Sequence, residues 1–294
     1  MANLKDLRTR INSVKSTRQI TSAMKMVAAA KIRKAQNRII QLRPYANKLH
    51  KLISILYNYN NLTEEEGDNY STVRDEKKIL IILITSNRGL CGSFNSVAIK
   101  NAINLADNIY NSQINKENVH FLAIGKKGAD YLKRKKYNVV DTKNELFDSL
   151  DFQTIAPIAE NIMKQFINKE YDKIELVYNQ FKNAAVQNIT TEQFLPVVIN
   201  EEEEGKHLPL YIFEPDKERI IEELIPKSLK IQFYKAIIDS FVSENGARMT
   251  AMHKATDNAT EMIRDLNLEY NKARQHAITK ELLDIVGGAE ALNK

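Results

Sequence analysis

Leu4-Lys5-Asp6-Leu7-Arg8-Thr9-Arg10-Ile11-Asn12-Ser13-Val14 opens the pattern that decides the fold. Stepping by three and four from Leu4 reaches Leu7, Ile11, Val14, Arg18, Thr21, Lys25, Ala28, Ile32, Ala35, Ile39, Leu42, Ala46, Leu49, Ile53 and Leu56, and thirteen of these sixteen positions are apolar. A 3.5-residue repeat held this long predicts a left-handed coiled coil. Such a helix would be about 80 Å long at 1.5 Å per residue. The seam is expected to fail at Arg18, Thr21 and Lys25. Pro44 lacks a backbone donor and is expected to bend the helix.

Working outward, residues 1–66 contain no glycine and one proline, Pro44, while residues 227–286 contain no proline and one glycine, Gly246. The breakers gather between them, which predicts two long terminal helices around a folded insert. The last helix shows Ala247, Ala251, Ala255 and Ala259 every four residues, then Met262, Leu266, Tyr270, Ala273 and Ala277. Small side chains allow close backbone approach, and Ala28, Ala29 and Ala30 offer a matching surface on the first helix, so the two are expected to pair antiparallel within the chain. Packing of both on a globular domain is the competing arrangement.

The insert reads as α/β. Lys78 to Thr85 is apolar on both faces, as a buried parallel strand must be. Ser93 to Tyr110 reads as helix, Val119 to Ile124 as strand, Gly125 to Lys135 as turn and helix, and Val139-Val140 as part of a strand. Ile155 to Asn168 reads as helix, and Lys173 to Phe181 and Thr191 to Ile199 as strands. Alternating strands and helices imply a mainly parallel, right-handed wound sheet. The expected division is an N-terminal helix over 1–58, a linker over 59–76, a Rossmann-like α/β domain over 77–217 and a C-terminal helix over 218–294. The polar stretches 59–76 and 200–209 are expected to be surface loops.

The net charge of +6 conceals an asymmetry. Residues 1–58 carry 13 basic residues and one acid, giving +12; the remainder carries 43 − 13 = 30 basic and 37 − 1 = 36 acidic residues, giving −6. Such a segment suits an acidic partner, whether nucleic acid or an acidic protein surface. Aromatic interleaving is thin there, and no nucleic-acid motif accompanies it. The longest apolar run, Ile79 to Ile84, is far below the roughly 18 residues of a membrane span, so any membrane link is expected to pass through other subunits. No apolar signal core opens the chain, so export is not expected. Cys91 is the single cysteine, which excludes an internal disulfide and fits a reducing compartment.

The loop Ser86-Asn87-Arg88-Gly89-Leu90-Cys91-Gly92-Ser93-Phe94-Asn95 follows the first strand. A glycine-containing strand-to-helix loop can cradle phosphate, but it matches neither the dinucleotide fingerprint nor the P-loop, and a tight turn is the competing reading. Cys91 reads as a buried inert thiol, because the five histidines are scattered without triad or metal spacing. Gly125-Lys126-Lys127-Gly128 reads as a turn with a solvated basic face.

The stretch Arg274-Gln275-His276-Ala277-Ile278-Thr279-Lys280-Glu281-Leu282-Leu283-Asp284-Ile285-Val286-Gly287-Gly288-Ala289-Glu290-Ala291 resembles the signature of the F-type ATP synthase gamma-subunit family. Ser16 to Lys31, Arg43-Pro44-Tyr45-Ala46, the Arg88-Gly89-Leu90-Cys91-Gly92 loop, Ala247 to Met252 and Ala255 to Asn258 resemble it too, in the same order along nearly the whole chain. The two-cysteine regulatory insertion of chloroplast relatives is absent.

The resemblance implies a rotor shaft without catalytic residues, cofactor or metal of its own, threaded through a ring of three alpha and three beta subunits. It coupled ion-driven rotation to ATP synthesis or hydrolysis on beta, and it implies epsilon and c-ring partners. By that resemblance Met24 and Lys25 face beta, as do Arg248, Arg274, Gln275, Thr279 and Glu281. Ile278, Leu282, Leu283, Ile285, Val286 and Ala289 form an apolar bearing tip. Tyr211 and Glu214 mark a foot near epsilon and the c-ring. The expected place is the cytoplasmic face of a bacterial inner membrane, held through the complex. A coiled-coil adaptor or nucleic-acid-binding arm is the alternative from the residues alone, and a Rossmann-like enzyme the weaker one.

Overall fold

The computed structural model describes residues 4–59, 70–114, 117–147, 149–197, 214 and 217–292. Helix α1 spans Leu4–Tyr59 and continues through Pro44. Strand β1 is Ile79–Ile84. Helix α2, Phe94–Asn104, runs into a π-helical turn over Leu105–Ile109, and the short α3 is Asn111–Ile114. Then come β2 (Val119–Ile124), α4 (Lys126–Arg134) and β3 (Val139–Thr142). A 3₁₀ turn at Glu145–Phe147 precedes α5 (Phe152–Ile167), β4 (Lys173–Phe181), β5 (Gln187–Leu195) and α6 (Lys217–Leu292).

The chain divides into two compact units, residues 29–248 and residues 1–28 with 249–294. In the larger unit the sheet order is β3-β2-β1-β4-β5. The pairs β1–β2, β1–β4 and β2–β3 are parallel, and β4–β5 is antiparallel. All six residues of β1 are buried, as its unbroken apolar run requires of a strand covered on both faces. Leu80, Ile82 and Ile84 face α5 and the inner parts of α1 and α6, through Ile155, Ile162, Phe166, Leu49, Leu229 and Phe233. Ile79, Ile81 and Leu83 face α2 and α4 through Ala98, Ala102 and Leu132.

One strand lies elsewhere than the sequence suggests. Instead of Thr191 to Ile199, β5 is Gln187–Leu195, running back along β4 from Phe181↔Gln187 to Ile174↔Leu195. The apolar run at 194–199 drew the reading too far along the chain. The real bounds come from the hairpin, whose turn is closed by Asn183 Oδ1 accepting from the amides of Ala185 and Val186. Pro196 follows immediately and has no amide to extend the ladder.

In the smaller unit α1 and α6 pack antiparallel: Leu7 and Ile11 cluster with Leu266, while Thr21 meets Thr256 and Lys25 meets His253. The α1 positions Leu7, Ile11, Thr21 and Ala28 are buried. Thr21 therefore stays in the seam as half of a polar pair, and the expected failure is confined to exposed Arg18 and half-buried Lys25. On α6 the seam is Met252, Thr256, Ala259, Ile263, Leu266, Tyr270 and Ala273, all buried or half-buried. Met262, at 45% exposure, lies outside it, and so does Ala277. The expected alanines Ala247, Ala251 and Ala255 are half-buried and Ala259 is buried. Because a four-residue step advances about 40° round a helix, the fully buried line is carried by alternate steps of three and four from Met252.

Candidate coupling surfaces

Beyond Ala273 every described side chain of α6, from 274 to 289, is exposed. Ile278, Leu282, Leu283, Ile285 and Val286 are 50% to 66% exposed. The helix bonds here are intact, and Thr279 adds a bond from Oγ1 to the Gln275 carbonyl at 2.9 Å. Arg274, Gln275, Glu281 and Ala289 share this exposed stretch. A Cβ at Gly287 or Gly288 would meet nothing within 4 Å. The expected tip residues are thus together on one regular helical end, with large apolar side chains in water. Large exposed apolar groups gathered on one short segment are the kind of feature that protein–protein surfaces carry.

A second apolar group lies on α1. Ile20, Met26 and Val27 are 57% to 65% exposed, flanking half-buried Met24 and Lys25. Lys25 Nζ lies 3.5 Å from His253 Nδ1, and His253 Nδ1 lies 3.3 Å from Asp257 Oδ2. The sequence reading passed over Ile20, Met26 and Val27. Their signal was there: all three are large and apolar, and all fall outside the three-four seam.

Arg248, which the resemblance places against beta, makes several contacts within the chain. Its guanidinium lies 2.6 Å from Glu244 Oε1 and donates to the Arg88 and Gly89 carbonyls at 3.1 and 3.3 Å. Burial pushes the Glu244 carboxyl up, and the Arg248 charge opposes that. These contacts fasten α6 to the loop after β1. Of the expected foot, Glu214 is exposed and Tyr211 lies outside the described residues.

The loop after β1 satisfies its own polar groups. The Ser86 amide and hydroxyl donate to Asn95 Oδ1 at 2.9 and 3.1 Å. Asn87 accepts from the Lys126 amide and donates to the Asn144 carbonyl. Leu90 and Gly92 take positive φ, at 64° and 59°, which makes the segment a tight turn. Cys91 is buried, and burial raises its thiol pKa, opposed by a hydrogen bond with Ser86. The crevice between β1 and β4, where strand order reverses, is the usual ligand position in wound sheets. Here α6 closes on it: a Cβ at Gly246 would lie 3.2 Å from the Ala184 carbonyl oxygen after β4, and Arg248 holds the loop from β1. On α4 Lys126, Lys127, Lys133 and Arg134 are exposed, as are Lys135 and Lys136 just after it, as expected of a solvated basic face.

Sequence reasoning also missed a buried ion pair. Asp239 on α6 is fully buried and lies 2.9 Å from Arg43 Nη2 on α1, and the same nitrogen donates to the Phe181 carbonyl of β4 at 3.0 Å. Burial raises the Asp239 pKa, and Arg43 opposes the rise. The available signal was a lone acid within Ala236-Ile237-Ile238-Asp239-Ser240-Phe241-Val242.

Among the described residues no helix is long and apolar enough to cross a membrane. A model of the ATP synthase family matches residues 3–292. The chain is 57% identical to the ATP synthase gamma chain of Flavobacterium johnsoniae over 293 residues, covering all of both chains. It is 54% identical to that of Christiangramia forsetii, again over the whole of both. Among solved structures, the rotor of the Euglena gracilis mitochondrial ATP synthase matches with a TM-score of 0.64 at 20% identity, covering 94% of this chain and 98% of that one. The central stalk and c-ring structure of the Tetrahymena thermophila enzyme matches with a TM-score of 0.57 at 27% identity, covering 80% and 99%.

Fold and surface together define a protein of two long paired helices with an α/β domain between them, of the class found in rotary central stalks. The chain belongs to the ATP synthase gamma-chain family. These relatives lend no support to an adaptor or nucleic-acid-binding arm.

Proposed function

We propose that this chain is the central rotor shaft of an F-type ATP synthase, coupling rotation of an ion-driven membrane ring to ATP synthesis or hydrolysis on beta subunits. The observation that carries this is the exposed apolar end of α6, residues 278–289, on a helix whose inner part is fastened to an α/β domain. Ile278, Leu282, Leu283, Ile285, Val286 and Ala289 seat in a sleeve made by three alpha and three beta subunits. An apolar tip in an apolar sleeve has few directional bonds to break as it turns. Met24, Lys25, Arg274, Gln275, Thr279 and Glu281 supply polar and charged contacts to beta, with Ile20, Met26 and Val27 beside them. Arg248 meets beta lower on the same helix. Because the shaft surface is uneven, each beta subunit meets a different face, and such differential contact is what drives a conformational cycle.

In this reading the chain has no catalytic residue of its own, and nucleotide chemistry belongs to its partners. The division into helix 1–58, linker 59–76, α/β domain 77–217 and helix 218–294 separates shaft from foot. The foot, with Tyr211 and Glu214, meets epsilon and the c-ring, so the membrane is reached only through the complex, on the cytoplasmic face in a bacterial host. The test is to mix the chain with alpha and beta subunits, with and without residues 275–294, and measure complex mass and ATPase activity. A stoichiometric complex whose activity depends on the chain is expected. No complex and unchanged activity would overturn the reading.

A further inference from the structure

Within the larger unit, α1 and α6 lie against the sheet mainly through aliphatic contacts: Leu42, Ala46, Leu49 and Ile53 on α1, with Leu229, Phe233, Ala236 and Ile237 on α6. Contacts of this kind are strong but non-directional, and they tolerate small slides and rotations of one helix on another. Directional contacts hold these helices as well, such as Gln232 Nε2 on α6 to Glu192 Oε1 of β5 at 2.8 Å and Arg38 Nη1 on α1 to the Leu150 carbonyl at 2.7 Å. Among the described residues of this unit, however, the contact that joins α1 to α6 through a fully buried charged side chain is Arg43 with Asp239. Arg43 Nη2 sits between three elements, donating to Asp239 Oδ1 on α6 at 2.9 Å and to the last carbonyl of β4, Phe181, at 3.0 Å. Asp239 is completely buried, while Arg43 retains 40% side-chain exposure.

The pair is poorly built for stability alone. Asp239 Oδ2 is buried without a hydrogen bond, as are the hydroxyls of Ser240 and Ser243 beside it. A buried carboxylate with an unsatisfied oxygen costs more than an apolar side chain of similar volume would. What such a pair does supply is uniqueness. A single buried polar contact between helices selects one register and penalises all others, because any slide leaves the charge unpaired.

Resting on the rotor reading, we infer that Arg43 and Asp239 are positioning residues that lock the axial register and rotational phase of α1 against α6 and β4, so that torque passes without slip. Arg248, holding the Arg88 and Gly89 carbonyls, ties α6 to the end of β1 in the same unit, so the sheet is gripped at two neighbouring strands. Neither residue acts on nucleotide or on the transported ion.

The test uses the complete ATP synthase in sealed vesicles, carrying the wild-type chain, Asp239→Asn, or the double variant Arg43→Met with Asp239→Leu. Three quantities are read: the melting temperature of the isolated chain, ATP hydrolysis, and ions pumped per ATP hydrolysed. Asp239→Asn keeps an acceptor for Arg43 and should pump as wild type does. The double variant should melt at or above the wild-type temperature and hydrolyse ATP, yet pump about twofold or more fewer ions per ATP, as expected when an apolar pair replaces a register-setting one. Unchanged pumping per ATP in a folded double variant would overturn the inference. Should that variant not fold, Asp239→Leu alone, which leaves half-exposed Arg43 free to turn to solvent, takes its place with the same expectation and the same overturning result. If the wild-type chain itself neither assembles nor supports pumping, the rotor reading has failed and the inference falls with it.

Discussion

The hydroxyls of Thr21 and Thr256 lie 2.8 Å apart inside the seam between α1 and α6. Each also reaches a carbonyl of its own helix, that of Arg18 at 3.1 Å and that of Met252 at 2.8 Å. Each hydroxyl carries one proton, so one donates to the other and the acceptor's proton goes to its own carbonyl. The pair stands among Ala28, Met252 and Ala259, where any other register would bury a hydroxyl against a methyl group. Replacing Thr21 alone by Val should cost about 1 kcal/mol, and replacing both by Val less than the sum of the two single changes. Thermal melting of the three variants checks this; strict additivity would mean the hydroxyls are not coupled.

The exposed end of α6 should separate stability from assembly. Leu282→Asp with Val286→Asp alters side chains that are 57% and 56% exposed. Surface changes of this sort stay within about 0.5 kcal/mol of wild type in the isolated chain. Against alpha and beta subunits the same variant should bind far more weakly, since each buried Leu or Val contributes roughly 1.5 to 3 kcal/mol. Circular dichroism melting and an affinity titration give the two numbers. A double variant that assembles normally would remove the tip from the interface.

Arg43 and Asp239 should respond unequally to truncation. Arg43→Ala strands a fully buried carboxylate and should cost about 3 to 5 kcal/mol. Asp239→Ala leaves an arginine with 40% side-chain exposure, which can turn to water, and should cost less. The pH dependence follows from the direction of the shift. Burial raises the folded-state pKa of Asp239 above its ordinary 3.8. The folded chain then takes up this proton at higher pH than the unfolded chain, so the contribution of Asp239 improves as pH falls through its raised pKa and is lost as pH rises. The stability difference between wild type and Asp239→Asn should therefore shift toward wild type on acidification, measured by denaturant unfolding from pH 8 toward about pH 4. A difference that moves the other way would mean that Arg43 outweighs burial.

Three glycines should behave in opposite ways. Gly125 has φ 102°, and a Cβ there would lie 2.2 Å from the Thr85 carbonyl oxygen, so Gly125→Ala should cost more than about 3 kcal/mol. Gly287 and Gly288 lie within α6 with open space around them, and alanine at either should favour the helical end by roughly 0.5 to 1 kcal/mol. Hydrogen exchange near residues 285–290 reads the second effect, and melting reads the first.

Some of this architecture could be read directly from the chain. The 3.5-residue repeat from Leu4 onward foretold the α1 seam, because burial follows periodicity closely when a helix has one partner. The unbroken run Ile79 to Ile84 foretold a central strand for the same reason. The α6 seam was only half legible. Its alanines do line the packed side, Ala259 buried and Ala247, Ala251 and Ala255 half-buried, but Met252, Thr256 and Ile263 share the seam, and there a polar residue interrupts the apolar pattern. The tip residues were legible as an apolar stretch, but only the structure showed that no described residue of α1 covers them.

By itself, then, the sequence determined the two long helices, the buried central strand and the α1 face that must be buried, since these depend on residues close along the chain. The tertiary structure decided what lies far apart in sequence. It set the order β3-β2-β1-β4-β5, the antiparallel return of β5, and the grip of Arg248 on a loop 160 residues earlier. It also joined Arg43 to Asp239 across 196 residues. A lone arginine and a lone aspartate carry no local signal of each other; only the closing of the fold brings two such charges out of water together and makes each depend on the other.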